Sequence, residues 1–154
     1  MIEANRILLV EDDEFKAMDI SSLLASILPT FEVSTVGDVG SAVIAVQKQC
    51  FKLILLDIAL PSRKLTRGGG STSSLLSGGV ELIYRIEEAK RNDPIVIVTQ
   101  YPDVPIEGEY ISVDKISSNP TQFFDANILG CFRYHRENKA IWLNPLTKIL
   151  KDMK

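Results

Sequence analysis

The sequence predicts an α/β fold built on an open, doubly wound parallel sheet. Four short strand-like runs occupy residues 6–10, 31–36, 52–56 and 94–99. Between these runs, apolar residues recur at helical spacing over about a dozen residues, which is typical of βαβ units. Because crossovers between parallel strands are right-handed, such units place helices on both faces of the sheet.

The first half of the chain follows this pattern closely. A helix is predicted over 20–28, where Ile and Leu repeat at helical spacing and Pro29 ends the run. Further helices are predicted over 39–46 and 80–86 on the same grounds. The third strand, residues 52–56, is apolar without alternation, as expected for a strand that is buried on both faces.

The second half is less regular. After the fourth strand, the run QYPDVPIEGE contains two prolines and has no room for a three-turn helix, so the fourth helix is predicted to be missing or reduced to a turn. Residues 110–114 are predicted to form a fifth strand. A helix with Asn119-Pro120 as its cap and first position is predicted to follow and to reach Phe132. A short last helix is predicted to start at Asn144-Pro145 and to run to residue 153.

We expect one domain over residues 1–132 and a C-terminal extension over 133–154 that packs on it. Within the extension, residues 145–153 are expected to cover the flank that the shortened fourth helix leaves open. Residues 62–79, SRKLTRGGGSTSSLLSGG, contain five glycines and three cations and are predicted to form a long flexible loop. This loop lacks the Gly-Lys-Ser/Thr ending of a phosphate-binding P-loop.

Composition restricts the class of protein. The 154 residues are 45% hydrophobic and 24% charged with a net charge of −3, so the basic surface that nucleic-acid binding requires is absent. No apolar segment approaches the roughly 18 residues that span a bilayer, and the first residues lack a signal-peptide pattern. We therefore expect a cytoplasmic protein with two reduced cysteines, Cys50 and Cys131.

Several carboxylates and a hydroxyl follow the predicted strands directly. Glu11 and Asp12 follow the first strand, Asp57 the third, and Thr99 ends the fourth, whereas Asp13 is better placed to begin the first helix. In an open parallel sheet, ligands bind at the edge where the carboxyl ends of the strands meet. Clustered carboxylates need a cation, and oxygen ligands suit Mg²⁺. A carboxylate beside such an ion can attack phosphorus and form an aspartyl phosphate.

Four segments in this order resemble the receiver domain of two-component response regulators. They are ILLVEDDE, LILLDIALP, GGVELIYRI and PIVIVTQY, and the resemblance covers about residues 5–132. It implies a flavodoxin-like, five-stranded parallel sheet with strand order 2-1-3-4-5, to which this chain adds a C-terminal helix. The insertion before Gly79 and the shortened fourth helix depart from the family's pattern.

The resemblance also implies a role for each residue at this edge of the sheet. Asp57 would accept a phosphoryl group, Thr99 would contact a phosphoryl oxygen, and Lys115 would pair with Asp57 or the phosphate. Lys115 directly follows the predicted fifth strand and could supply the cation. The Mg²⁺ ligands would be Glu11, Asp12, Asp57 and the backbone carbonyl of Ala59.

By the same resemblance, the phosphodonor is a histidine kinase or a phosphotransfer protein, and the output is a conformational change read by a downstream protein. No direct contact with nucleic acid or membrane is expected, and a homodimer is left open. Such a domain is not an enzyme beyond its own phosphorylation and dephosphorylation. Two alternatives stay open: a receiver-like interaction module that signals without phosphate, and a small Mg²⁺-dependent phosphohydrolase with Asp57 as nucleophile.

Overall fold

The computed structural model describes residues 4–61 and 77–154. The predicted loop over 62–79 therefore lies outside the described residues except for its last three positions. The elements before this gap are β1 (Arg6–Val10), α1 (Glu14–Ile27), β2 (Glu32–Val36), α2 (Val39–Lys48) and β3 (Leu53–Leu56). The elements after it are α3 (Gly78–Glu88), β4 (Ile95–Thr99), β5 (Asp103–Ile106), β6 (Glu109–Ser112), α4 (Val113–Ser118), a 3-10 turn (Pro120–Gln122), β7 (Ile128–Arg133) and α5 (Ala140–Lys151).

The main sheet has five parallel strands in the order β2-β1-β3-β4-β7. Because β7 is the fifth strand of this sheet along the chain, the order confirms the predicted arrangement 2-1-3-4-5. In the register, Val10 lies opposite Leu56, and Leu56 lies opposite Ile97. The carboxyl ends of β1, β3 and β4 therefore meet at one edge of the sheet.

The identity of the fifth strand was predicted wrongly. Residues 109–112 form the second strand of a separate antiparallel hairpin, β5–β6, and not a strand of the main sheet. The hairpin turns at Glu107 and Gly108, which both have positive φ, as a two-residue hairpin loop requires. Residues 128–133 form β7 and not a helix, because pairing with β7 supplies hydrogen-bond partners for the backbone groups on the otherwise open edge of β4. An apolar run this short fits a strand as well as a helix.

Both faces of the sheet are covered. On one face, alternate residues of the central strands pack against α1 and α5, whose buried side chains there include Ile20, Leu24, Trp142, Leu146 and Leu150. The other face packs against α2, α3, the hairpin and α4. This two-sided burial explains why β1, β3 and β4 are apolar at consecutive positions.

The last helix lies elsewhere than predicted. It begins at Ala140 rather than at Asn144-Pro145, includes Pro145, and packs beside α1 against β7. The flank that residues 145–153 were expected to cover is filled instead by Val104 and Ile106 of the hairpin and by residues of α4. The division of the chain at residue 132 stays a prediction, although residues on both sides of it contribute to the same core.

Two further observations concern the cysteines and the helices. Cys50 and Cys131 are both free, and only Cys131 is buried. Within residues 4–61 and 77–154, no helix is long and apolar enough to cross a membrane.

Candidate functional site

The candidate site forms where β1 and β3 end side by side. Both strands are buried up to their last residue, so the chain leaves the sheet only at Glu11 and Asp57. Backbone hydrogen bonds fix these positions: Glu11 N donates to Val36 O at 2.9 Å, and Asp57 N donates to Val10 O at 3.1 Å. The sheet itself thus holds the two acids next to each other.

Three carboxylates converge at this edge. One side-chain oxygen from each of Glu11, Asp12 and Asp57 lies within 4.8 Å of the other two. Glu11 is 4% exposed and Asp57 is 7% exposed, whereas Asp12 is exposed to solvent. Ala59 lies two residues beyond Asp57 in the same loop and is half-buried. The structure therefore brings together the three acids that the sequence analysis named.

Burial makes the negative charge of this cluster costly. Desolvation raises the pKa of Glu11 to about 7; Lys16 opposes this rise, whereas Asp57 adds to it. Desolvation also raises the pKa of Asp12, and the charge of Asp57 raises it further. A divalent cation among the three acids would favour their ionised forms.

Lys16 is the residue that sequence reasoning missed. It lies in the first turns of α1, and its Nζ is 2.6 Å from Glu11 Oε1 and 3.3 Å from Asp57 Oδ1. Its side chain is 0% exposed. A signal was available in the sequence, because Lys16 precedes Ile20 and Leu24 at intervals of four and so interrupts the apolar stripe of α1.

The contacts of Asp57 fall on one of its two oxygens. Oδ1 accepts a hydrogen bond from Ile58 N at 2.8 Å and also faces Lys16 Nζ. Neither of these groups engages Oδ2. These two groups thus orient the carboxylate through Oδ1.

Thr99 ends β4, the strand next to β3, and is fully buried. Its Oγ1 accepts a hydrogen bond from Tyr101 N at 3.3 Å, and its carbonyl accepts one from Tyr134 N at 2.7 Å. The hydroxyl is therefore linked to the loop that leads into the hairpin. Asp13 caps α1, where its carboxylate accepts from Lys16 N at 3.0 Å, as its predicted position at the helix start implied.

Lys115 was predicted to follow a strand of the main sheet, and this placement was wrong. It lies on α4, exposed to solvent, after a hairpin strand. The cation within 4.0 Å of Asp57, among the residues described, is Lys16. The pairing of Lys115 with Asp57 stays a prediction without a contact to support it.

Gly79 at the start of α3 supports the loop that carries Asp57. Gly79 N donates to Ile58 O at 2.9 Å, and a Cβ at this position would lie 2.2 Å from Asp57 O and 2.6 Å from Ile58 Cα. We expect Gly79→Ala to lower the free energy of unfolding by about 1–3 kcal/mol, because backbone must move to admit the methyl group. Urea denaturation measures this loss. Gly37→Ala is the control, since its Cβ would meet its neighbours at 3.8 Å or more; equal losses in both variants would contradict the prediction.

Comparison with known proteins identifies the family. No family model matches the sequence. The chain is 31% identical over 149 residues to the Detocs response regulatory protein DtcB of Vibrio alginolyticus, and the match covers 95% of this chain and 99% of that protein. The alignment therefore covers nearly the full length of both proteins.

Solved structures agree on the architecture. The signal receiver domain of a DNA-binding response regulator from Colwellia psychrerythraea has a TM-score of 0.64 at 17% identity, with 97% of each chain covered. The phosphorylated cyanobacterial phytochrome response regulator RcpA has a TM-score of 0.59 at 21% identity, covering 97% of this chain and 91% of that one.

A third structure has an ion in its site. The receiver domain of the sensor histidine kinase PA1611 from Pseudomonas aeruginosa, which has a magnesium ion coordinated in its active-site cleft, has a TM-score of 0.57 at 22% identity, covering 97% and 98% of the two chains. The parallel five-stranded sheet, the acidic edge and the full-length similarity to a response regulatory protein lead to one conclusion: this chain belongs to the response regulators of two-component systems and has the fold of their receiver domain.

Proposed function

We propose that this receiver domain accepts a phosphoryl group on Asp57 in a Mg²⁺-dependent reaction and passes the signal to a downstream protein by a change in its contacts. The observation that carries the proposal is the convergence of three carboxylates within 4.8 Å at the ends of two adjacent strands. One of them, Asp57, keeps an oxygen that neither Ile58 N nor Lys16 engages. That oxygen is the proposed nucleophile.

The residues fit a hard divalent cation. The donor set contains only oxygen: the carboxylates of Glu11, Asp12 and Asp57 and, as proposed, the carbonyl of Ala59. Burial raises the pKa of both Glu11 and Asp12, and the charge of Asp57 raises both further even though Lys16 opposes the rise. Bound Mg²⁺ would neutralise these acids and the oxygens of an incoming phosphoryl group.

The proposed reaction is a transfer from a phosphohistidine of a histidine kinase or a phosphotransfer protein. Asp57 Oδ2 forms a bond to phosphorus while the P–N bond of the donor breaks, and the leaving imidazole keeps the electron pair and takes up a proton. The product is a mixed anhydride on Asp57. The Thr99 hydroxyl would then donate to a phosphoryl oxygen.

Movement of Thr99 offers a route from the site to the surface. Its Oγ1 holds Tyr101 N, and the hairpin follows directly after Tyr101-Pro102. Tyr101, just before the hairpin, is 44% exposed, and Tyr110, in its second strand, is 73% exposed. A shift of the hydroxyl towards a phosphoryl group would break the contact with Tyr101 N and bias this surface between two arrangements. We propose this surface as the one that a downstream protein reads.

The first test uses the wild-type protein. Incubation with Mg²⁺ and acetyl phosphate or phosphoramidate is expected to add one labile phosphoryl group, seen by intact mass and mapped to Asp57. Chelation of the metal should prevent the addition. A mass that stays unchanged with both donors, together with absent Mg²⁺-dependent binding of beryllofluoride, would reject the proposal.

A second prediction concerns Asp12. We expect Asp12→Asn to weaken Mg²⁺ binding at least about tenfold, because it removes one of the three carboxylates that would hold the ion. The fold should be unaffected, since the side chain is exposed. Titration calorimetry measures the affinity, and Asp125→Asn, also exposed, is the control. Unchanged affinity in Asp12→Asn would remove Asp12 from the metal site.

One observation favours the alternative, a receiver-like interaction module that signals without phosphate. Lys16 is fully buried and already neutralises part of the charge of Glu11 and Asp57. In such a module the ion pair would be a permanent structural feature. The phosphodonor experiment separates the two functions, because a module that signals without phosphate would show no increase in intact mass with either donor.

A further inference from the structure

The strand at the fifth position of the sheet does not bring a free cation to Asp57. β7 ends at Arg133, which lies opposite Thr99 in the register. The Arg133 side chain is exposed, and its Nε donates to Gln100 O at 3.4 Å. The next residue, Tyr134, is buried, and its hydroxyl donates to Asp19 Oδ2 at 2.5 Å. Both side chains at the end of β7 are thus engaged with other groups.

Lys16 reaches the same place from α1. Side chains on a helix tilt towards its N-terminus, so a long side chain near the start of a helix covers the turn before it. Asp13 starts α1 directly after Glu11 and Asp12, which sets that first turn against the edge of the sheet. The Lys16 ammonium therefore extends back to Glu11 and Asp57.

The packing of α1 does not account for a lysine at this position, whereas the acids of the site do. Burial of an ammonium costs several kcal/mol even when it is paired, and apolar replacements of buried ion pairs are often neutral or stabilising. The neighbours of Lys16 on its stripe, Ile20 and Leu24, are apolar and buried. A leucine or methionine at position 16 would extend that stripe but would leave the buried acids Glu11 and Asp57 without their cation.

The ammonium also keeps hydrogen-bonding capacity. Although Nζ is 2.6 Å from Glu11 Oε1, it has no hydrogen bond of acceptable geometry to any described residue. The Tyr134 ring lies 5.7 Å from Nζ and offers it a π face. An ammonium has three N–H donors and Lys16 has two acidic contacts, so at least one donor lacks an acceptor among the described residues.

We propose that Lys16 is the cation that neutralises the phosphoryl group on Asp57, a role supplied in this chain by α1 and not by the end of the fifth strand. The proposal rests on the proposed function. Forming the anhydride removes the negative charge of Asp57 and places negative charge on the phosphoryl oxygens. The preferred partner of the ammonium thus moves outward, and Lys16 donates a hydrogen bond to a phosphoryl oxygen.

The decisive variant is Lys16→Met, which nearly keeps the length of the side chain and removes the charge. With Mg²⁺ and acetyl phosphate, its initial rate of Asp57 phosphorylation is expected to fall at least about tenfold. Its affinity for Mg²⁺ should stay equal or become several-fold tighter, because a competing cation has left the acids. If Lys16 only stabilised the fold, its loss would not slow phosphorylation while leaving the affinity for Mg²⁺ undiminished. Lys48→Met, at an exposed position of α2, is the control and should behave as the wild type.

Two rival variants make the outcome specific. If Lys115→Met or Arg133→Met loses the rate and Lys16→Met does not, the proposal is overturned while phosphorylation of Asp57 stands. If the wild-type protein takes up no phosphoryl group, the proposed function and this inference fall together. A wild-type rate in Lys16→Met would overturn the inference alone.

A second measurement needs no variant and covers the case in which Lys16→Met does not fold. In wild-type protein labelled with ¹⁵N-lysine, the buried ammonium is expected to give one slowly exchanging resonance. Addition of beryllofluoride with Mg²⁺, as a substitute for the phosphoryl group, should shift that resonance strongly and leave those of exposed lysines in place. Absence of a shift, with beryllofluoride shown to bind, would contradict the proposal.

Discussion

Asp57→Asn is expected to abolish phosphorylation by acetyl phosphate while the fold is retained. The amide cannot act as the nucleophile, and no other described carboxylate combines burial at this edge with the contacts that orient Asp57. Intact mass after incubation with Mg²⁺ and the donor should show no addition, whereas Asp125→Asn, at an exposed position, should be phosphorylated as the wild type. A phosphoryl group that persists in Asp57→Asn would move the acceptor to another residue.

The same variant should be more stable than the wild type in the absence of metal. Burial and the charge of Asp57 raise the pKa of Glu11 to about 7. Glu11 therefore contributes stability that is present below its unfolded pKa and is lost as the pH rises through about 7. Removal of the Asp57 charge lessens this loss, so the gain in melting temperature should be larger at about pH 8 than at about pH 5. A gain that shrinks with rising pH would contradict this account of the cluster.

Trp142→Ala is expected to cost about 3–5 kcal/mol of unfolding free energy, because Trp142 is the largest of the fully buried side chains among the described residues. The indole is 1% exposed, its ring centroid lies 5.0 Å from that of Tyr134, and its Nε1 donates to His135 O at 3.1 Å. Truncation would leave a cavity between α5 and the sheet and an unpaired carbonyl. For a chain of this size, the melting temperature should fall by roughly 6–20 °C.

The adjacent residue provides the control for Trp142. Ile141 is 44% exposed on the same helix, so Ile141→Ala should change the unfolding free energy by less than about 1 kcal/mol. If both variants lost the same stability, a general sensitivity of α5 to substitution would be responsible and not the packing of Trp142. Thermal unfolding followed by circular dichroism measures both.

The edge of the sheet that carries the acids could be predicted from sequence because local rules determine it. Strands buried on both faces read as continuous apolar runs, and the first polar residue after each run must lie where the strand leaves the sheet. Glu11, Asp57 and Thr99 follow this rule. The strand order followed from the resemblance to receiver domains.

The elements after Thr99 could not be predicted in the same way. The run ILGCFR fits either a strand or a helix, and only the free edge of β4 selects the strand. Residues 109–112 have the alternation of a strand, but their pairing with β5 places them outside the main sheet. The wrong fifth strand then led to Lys115 as the cation.

The role of Lys16 could not be predicted from the sequence either. Its position in an apolar stripe was visible, but its contacts with Glu11 and Asp57 depend on how α1 packs against the ends of the strands. By itself, the sequence determined the α/β class, the parallel sheet and the acids at its edge, because burial and strand periodicity are local properties. Only the tertiary structure decided which strand completes the sheet, which helix covers which face and which cation meets Asp57, because these depend on pairing between residues far apart in the chain.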